Sequence, residues 1–213
     1  MQHPTVAFSV LSLLAALTTG CVYSGEQVAI ESPGAMSSRS SVDGIAVGAR
    51  AYVDPDEAED VFGLPVVFES RTATTVRRGY LPVLVSFTND SGDGLIVDKE
   101  HTRLISADGK RAKPRSWLRM HEAFAPSVAG AFVAFGVVGA AVQDDANESL
   151  AEDWRRKELP DQAFLYPNSE GTGGFLYFKD KGGLTPYTLR VAFRRASTGE
   201  RLTIDVNIDP ERS

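Results

Sequence analysis

One cysteine in 213 residues, Cys21, is the sparsest feature of this chain. It excludes an intrachain disulfide and any metal site built from several thiolates. Histidine is almost as scarce. His3, His101 and His121 each stand alone in their stretch, a placement that suits a surface or hydrogen-bonded residue better than a ligand or general base. There is no HExxH, no GxSxG and no P-loop, so no catalytic centre is legible and no cofactor or metal is expected. An excess of basic charge is missing too. With 22 Lys and Arg against 28 Asp and Glu the net charge is −6, which argues against nucleic acid as a partner.

What is present is ordinary globular composition, 43% hydrophobic and 23% charged, enough for one domain with its own core. The first 20 residues stand apart, with no Asp, Glu, Lys or Arg. Val6 to Leu17 reads VAFSVLSLLAAL. This run is too short for a membrane span and suits the apolar core of a signal peptide. It leads into Leu17-Thr18-Thr19-Gly20-Cys21.

On these residues the chain resembles the bacterial lipoproteins, whose lipobox sets small residues before a cysteine. The match covers the first 21 residues. It departs from pattern in an n-region, MQHPT, without Lys or Arg, and in Thr18 where Leu is commonest. The resemblance implies that residues 1–20 are a signal peptide and that the Cys21 thiol carries a diacylglycerol group. It also implies that the protein is anchored in the cell envelope, two acyl chains being enough for a stable anchor. Val22 stands where an aspartate would mark retention in the inner membrane, so the resemblance points to the outer membrane, with the domain facing the periplasm.

After Cys21 the composition turns rich in Ser, Gly and Pro, and residues 21–41 read as a flexible tether. The domain proper is expected over 42–213. Ile45, Val47, Ala49, Ala51 and Val53 recur with the strand period of two. Tyr80–Thr88, Leu95–Val97, Thr102–Ser106, Gly174–Phe178, Tyr187–Phe193 and Leu202–Ile208 complete a set of short strands with polar turns. The expected fold is mainly β: an antiparallel immunoglobulin-like β-sandwich, interrupted by a helical-hairpin insert at about 115–159. Within the insert, Asp144–Leu159 reads as an amphipathic helix with Ala146, Leu150 and Trp154 on one face. Glu152–Arg156 and Asp153–Lys157 are i, i+4 ion pairs, and Pro160 is the stop signal.

The first arm of the insert is the uncharged stretch SVAGAFVAFGVVGAAVQ, Ser127–Gln143. On a helix, Val128, Phe132, Phe135 and Val142 form a bulky face interrupted at Gly139; Ala129, Val133, Gly136 and Ala140 form a small one. Three readings stand. The stretch is a membrane span, a helix buried against the sandwich, or an exposed surface for a partner or lipid. Basic flanks before it and acidic flanks after it oppose a span in an exported chain. The candidate interaction surface is Gly130, Phe132, Phe135, Gly136 and Gly139.

A calcium-loop frame falls on Asn89–Glu100, with Gly94 sixth and Glu100 twelfth. Only Asp93 and Glu100 remain as carboxylate ligands in it, and a strand-to-strand loop is the better reading. The acidic cluster Asp54–Asp60 reads as a solvated loop or a first helical turn. The function expected is that of a non-catalytic envelope lipoprotein acting in protein–protein interaction or envelope assembly. Two alternatives stay open: a membrane-active protein that inserts residues 127–143 into a bilayer, and a small-ligand binder or enzyme whose site is assembled only in space.

Overall fold

The computed structural model describes residues 26–63, 79–125, 128–180 and 186–209. Alternation decides most of the fold. In β2 (Ile45–Ala51) the side chains of Ile45, Val47, Ala49 and Ala51 are buried. In β10 (Tyr187–Arg195) Leu189, Val191 and Phe193 point inward, and in β11 (Arg201–Ile208) Ile204, Val206 and Ile208 do. Each strand buries one face, as the period of two requires. β3 (Gly79–Asn89) departs from alternation and is buried along nearly its whole length. It is covered on both sides: Leu81, Val83, Val85 and Phe87 belong to one core and Tyr80 and Leu84 to another.

Two antiparallel sheets result. The first has the order β1-β2-β3-β9-β7, where β1 is Ser38–Val42, β9 is Ser169–Asp180 and β7 is Pro114–Arg115. The second has the order β6-β5-β10-β4-β8, with β11 on the other edge of β10. Here β4 is Leu95–Val97, β5 is Arg103–Ser106, β6 is Arg111–Ala112 and β8 is Phe164–Leu165. The inner faces of both sheets share one apolar core. Three helices cover the outer face of the first sheet: α1 (Pro55–Phe62), α2 (Trp117–Phe124) and α3 (Val128–Lys157). The architecture is therefore mainly β, in layers of sheet, sheet and helix.

Local chemistry explains α1. Asp54 is its N-cap, its carboxylate accepting from the N–H groups of Asp56 and Glu57, and Pro55 opens the first turn. Gly63 closes it in the left-handed region at φ 67°. The acidic cluster is thus a capped helix rather than a solvated loop.

Two expectations change. The tether expected through Ser41 is packed onto the domain from Glu26 onward. The Glu26 N–H donates to Asp60 O, the Ser86 hydroxyl donates to Glu31 O, and Pro33 and Met36 are buried before β1 begins. Gly48 makes this docking possible, since a Cβ there would lie 2.8 Å from Met36 Sδ and from Pro33 Cα. The two arms expected across 127–159 are instead one continuous helix of 30 residues. Its breakers lie outside it, Pro126 before and Pro160 after.

Candidate functional site

α3 is two helices by chemistry. Its carboxyl half is rooted in the protein. Leu150 and Trp154 are buried among Phe62, Tyr80, Met120, Phe175 and Tyr177. The Trp154 indole N–H donates to Phe62 O at 2.8 Å, and the ring meets Phe62 and His121 edge to face. The Tyr177 hydroxyl donates to Trp154 O at 3.4 Å, and burial pushes its pKa well above the ordinary value. Lys157 sits beneath the surface at 7% side-chain exposure, paired with Asp153 at 2.7 Å and lying over the Phe62 ring. Arg155, Arg156 and Lys157 also suit the negative end of the helix dipole. From α2, His121 Nε2 lies 3.1 Å from Asn147 O; a carbonyl only accepts, so this nitrogen carries the proton.

The expected amphipathic face of 144–157 is therefore the buried one. Glu152–Arg156 and Asp153–Lys157 form as the spacing predicts, at 2.9 and 2.7 Å. Gly174 lets the chain leave the helix along the sheet, because a Cβ there would lie 2.8 Å from the backbone of Leu159.

The amino half is different. Val133 is 85% exposed, Val137 is 74% exposed, and Ala141 is exposed one turn further on. These positions lie four apart and share a face. At 1.5 Å per residue, Val128 lies about 28 Å along the axis from Asn147, where the rooted half begins. Gly130, Phe132, Phe135, Gly136 and Gly139 are on this half of the helix by backbone; their surroundings lie outside the described residues, as does Cys21. Val133, assigned to the small face, is the one member of that set whose exposure is described. Val137 was in neither face, and nothing in composition sets it apart from its neighbours. Among the described residues no helix is long and apolar enough to cross a membrane.

A second feature lies where the second sheet meets β7 of the first and the exit of α3. A cleft of about 530 Å³ is bounded by Asp98, Lys99, His101, Arg115, Glu158 and Arg194, among others. Lys99, 11% exposed, pairs with Glu158 at 2.6 Å and Asp161 at 2.9 Å and donates to Leu159 O. Glu158 also accepts from the Trp117 N–H at the start of α2. The Lys99 cluster thus pins the exit of α3 to the second sheet.

His101 Nδ1 lies 2.9 and 3.0 Å from the two Asp98 oxygens. Ser116 borders the same cleft, yet among the described residues no hydrogen bond joins it to His101. Burial pushes the Asp98 pKa up, but the hydrogen bonds and charge of His101 and the charge of Arg201 outweigh it, and the carboxyl sits below its usual range. A carboxylate depressed in the folded state stabilises above its unfolded pKa, and loses that contribution as pH falls through the folded value. Asp98→Asn is expected to cost thermal stability at neutral pH and progressively less below about pH 4. Melting curves of both proteins between pH 3 and 7 check this; a constant difference across the range would contradict it.

The calcium frame is occupied by its own loop. The Asn89 amide donates to Asp93 O, Leu165 O and Tyr166 O, while its carbonyl oxygen accepts from Ser91. Asp93 accepts from the Ser197 hydroxyl. The first position of the frame is thus a buried staple between the sheets. Among the described residues no His, Cys, Asp and Glu cluster could hold a metal ion.

No protein-family model matches the chain, and none of the curated proteins does. Among solved structures, a candidate lipoprotein (ycdA) from Bacillus subtilis subsp. subtilis str. 168 is similar at a TM-score of 0.42 and 14% identity. The likeness covers 81% of this chain, which spans 38% of the other. Similarity at that level assigns no family.

Proposed function

We propose that this protein is a non-catalytic lipoprotein of the bacterial cell envelope, anchored by diacylated Cys21 in the outer membrane and facing the periplasm. The amino half of α3 docks a protein partner. The observation that carries the docking role is the exposure of Val133 and Val137 on a helix whose other half is fixed in a core. Val133 and Val137 lie one turn apart in an uncharged stretch, and a contiguous exposed apolar surface is what marks an interaction site. The anchor rests on the lipobox. Residues 22–25 alone separate Cys21 from Glu26, whose N–H is bonded to Asp60, so the leash reaches at most about 18 Å.

A protein is favoured over a bilayer as the occupant by length. Residues 128–143 extend about 24 Å as a helix, short of a hydrocarbon core of about 30 Å, and Asp144 and Asp145 follow at once. The domain itself reads as immunoglobulin-like. The neighbour order β2-β3-β9-β7 corresponds to strands A-B-E-D of that fold, and β4/β5-β10-β11 to C-F-G. In this scheme β1 is an added edge strand, and α2 and α3 interrupt the connection between D and E.

The test is Val133→Asp with Val137→Asp. Both positions are exposed, so the melting temperature is expected to stay within about 2 °C of the parent. Partner recovery from crosslinked envelopes is expected to fall at least tenfold. Unchanged recovery would sink the docking role. Flotation of the Cys21→Ala protein with liposomes would transfer that role from a protein to a lipid surface.

A further inference from the structure

The outer face of β10 and β11 carries two arginine pairs of opposite character. Arg190 stands directly across from Asp205, and the two form a bidentate ion pair at 2.8 and 2.7 Å. Four residues on, Arg194 stands directly across from Arg201. Like charges at facing positions of an antiparallel pair destabilise a sheet, where opposite charges support it. Arg194 has no ion-pair or hydrogen-bond partner among the described residues. Arg201 has only Asp98, at 3.9 Å, and that carboxylate is already held by His101. Both arginines border the 530 Å³ cleft, and Arg115 on β7, also without a partner among the described residues, borders it too.

Of the acids of the cleft only Asp98 approaches one of these cations, Arg201, at 3.9 Å. Glu158 and Asp161 are taken by Lys99 and Asp98 by His101, while Glu100 is exposed. The arrangement leaves the Arg194 and Arg115 side chains on the cleft with no carboxylate paired to either among the described residues. Guanidinium forks bind planar or tetrahedral oxyanions in a bidentate way, and an anion between two of them removes their repulsion.

We propose that this cleft is an oxyanion-binding site, with Arg194 and Arg201 as its paired ligands and Arg115 as a third cation. The ligand is a small molecule bearing a phosphate or carboxylate group. This site is independent of the docking role of α3 and of lipidation at Cys21.

The experiment is thermal unfolding of the Cys21→Ala protein titrated with sodium phosphate or with sodium succinate, each against sodium chloride of equal ionic strength. Phosphate, succinate or both are expected to raise the melting temperature saturably, by about 5–10 °C at one hundred times the dissociation constant. The arm that responds identifies the phosphate or the carboxylate source. Arg194→Gln with Arg201→Gln is expected to abolish the shift. Arg194→Glu is expected to abolish it while raising the melting temperature by about 1–2 °C without added anion, because it sets a carboxylate across from Arg201. No saturable shift with either anion in the parent protein would overturn the proposal, as would an undiminished shift in the double glutamine variant. Failure of Arg194→Glu to stabilise would remove the electrostatic argument on which it stands.

Discussion

Replacing Trp154 by alanine is expected to remove about 3–5 kcal/mol of folding stability. Three losses coincide at this residue. The side chain is fully buried, so its removal leaves a cavity under α3 that the β-sheet cannot collapse to fill. The Phe62 carbonyl loses its 2.8 Å donor, one of the ties between α1 and α3. The edge-to-face contacts with Phe62 and His121 also go, and these join all three helices. In a domain of this size the change corresponds to a fall in melting temperature of roughly 6–20 °C. Chemical denaturation of the Cys21→Ala background with and without Trp154→Ala measures it. A loss below 1 kcal/mol would mean that the helical layer is not rooted as described.

The second large effect is all-or-none. Changing Cys21 to serine is expected to reduce incorporation of labelled palmitate to background, because the chain has no other thiol to receive a diacylglycerol group. The sulfur nucleophile is reactive as a thiolate at accessible pKa; a serine hydroxyl is not. The consequence for attachment is steep, since each buried methylene contributes about 0.8 kcal/mol and two chains separate a stable anchor from a marginal one. Metabolic labelling followed by immunoprecipitation decides it. Label retained in the serine variant, or absent from the parent, would remove the lipoprotein reading altogether.

Much of the sheet was legible because alternation is a local signal. Ile45 to Ala51 and Leu202 to Ile208 each bury every second residue, and the reading placed them correctly. The rooted half of α3 was legible for the same reason, with Leu150 and Trp154 four apart. What escaped depends on contacts between distant residues. The segment 26–42 has a tether's composition, yet it is held by Ser86, Asp60 and the space above Gly48. The strand-to-strand loop after Asn89 was legible, but not that its amide is claimed by carbonyls 76 and 77 positions away. The continuity of α3 escaped because an apolar run followed by a charged one reads as two segments, although no breaker lies between Gln143 and Asp144. The arginine cleft was invisible until register placed Arg194 opposite Arg201.

The amino half of α3 is proposed to meet a protein through its exposed Val133 and Val137. A photo-crosslinking amino acid at Val137, compared with one at Asn207 on the outer face of the second sheet, tests it most directly in intact envelopes. Crosslinking at position 137 is expected to give a discrete adduct with another protein, and position 207 none. Lipid adducts alone at 137, or the same adducts at both positions, would contradict the account.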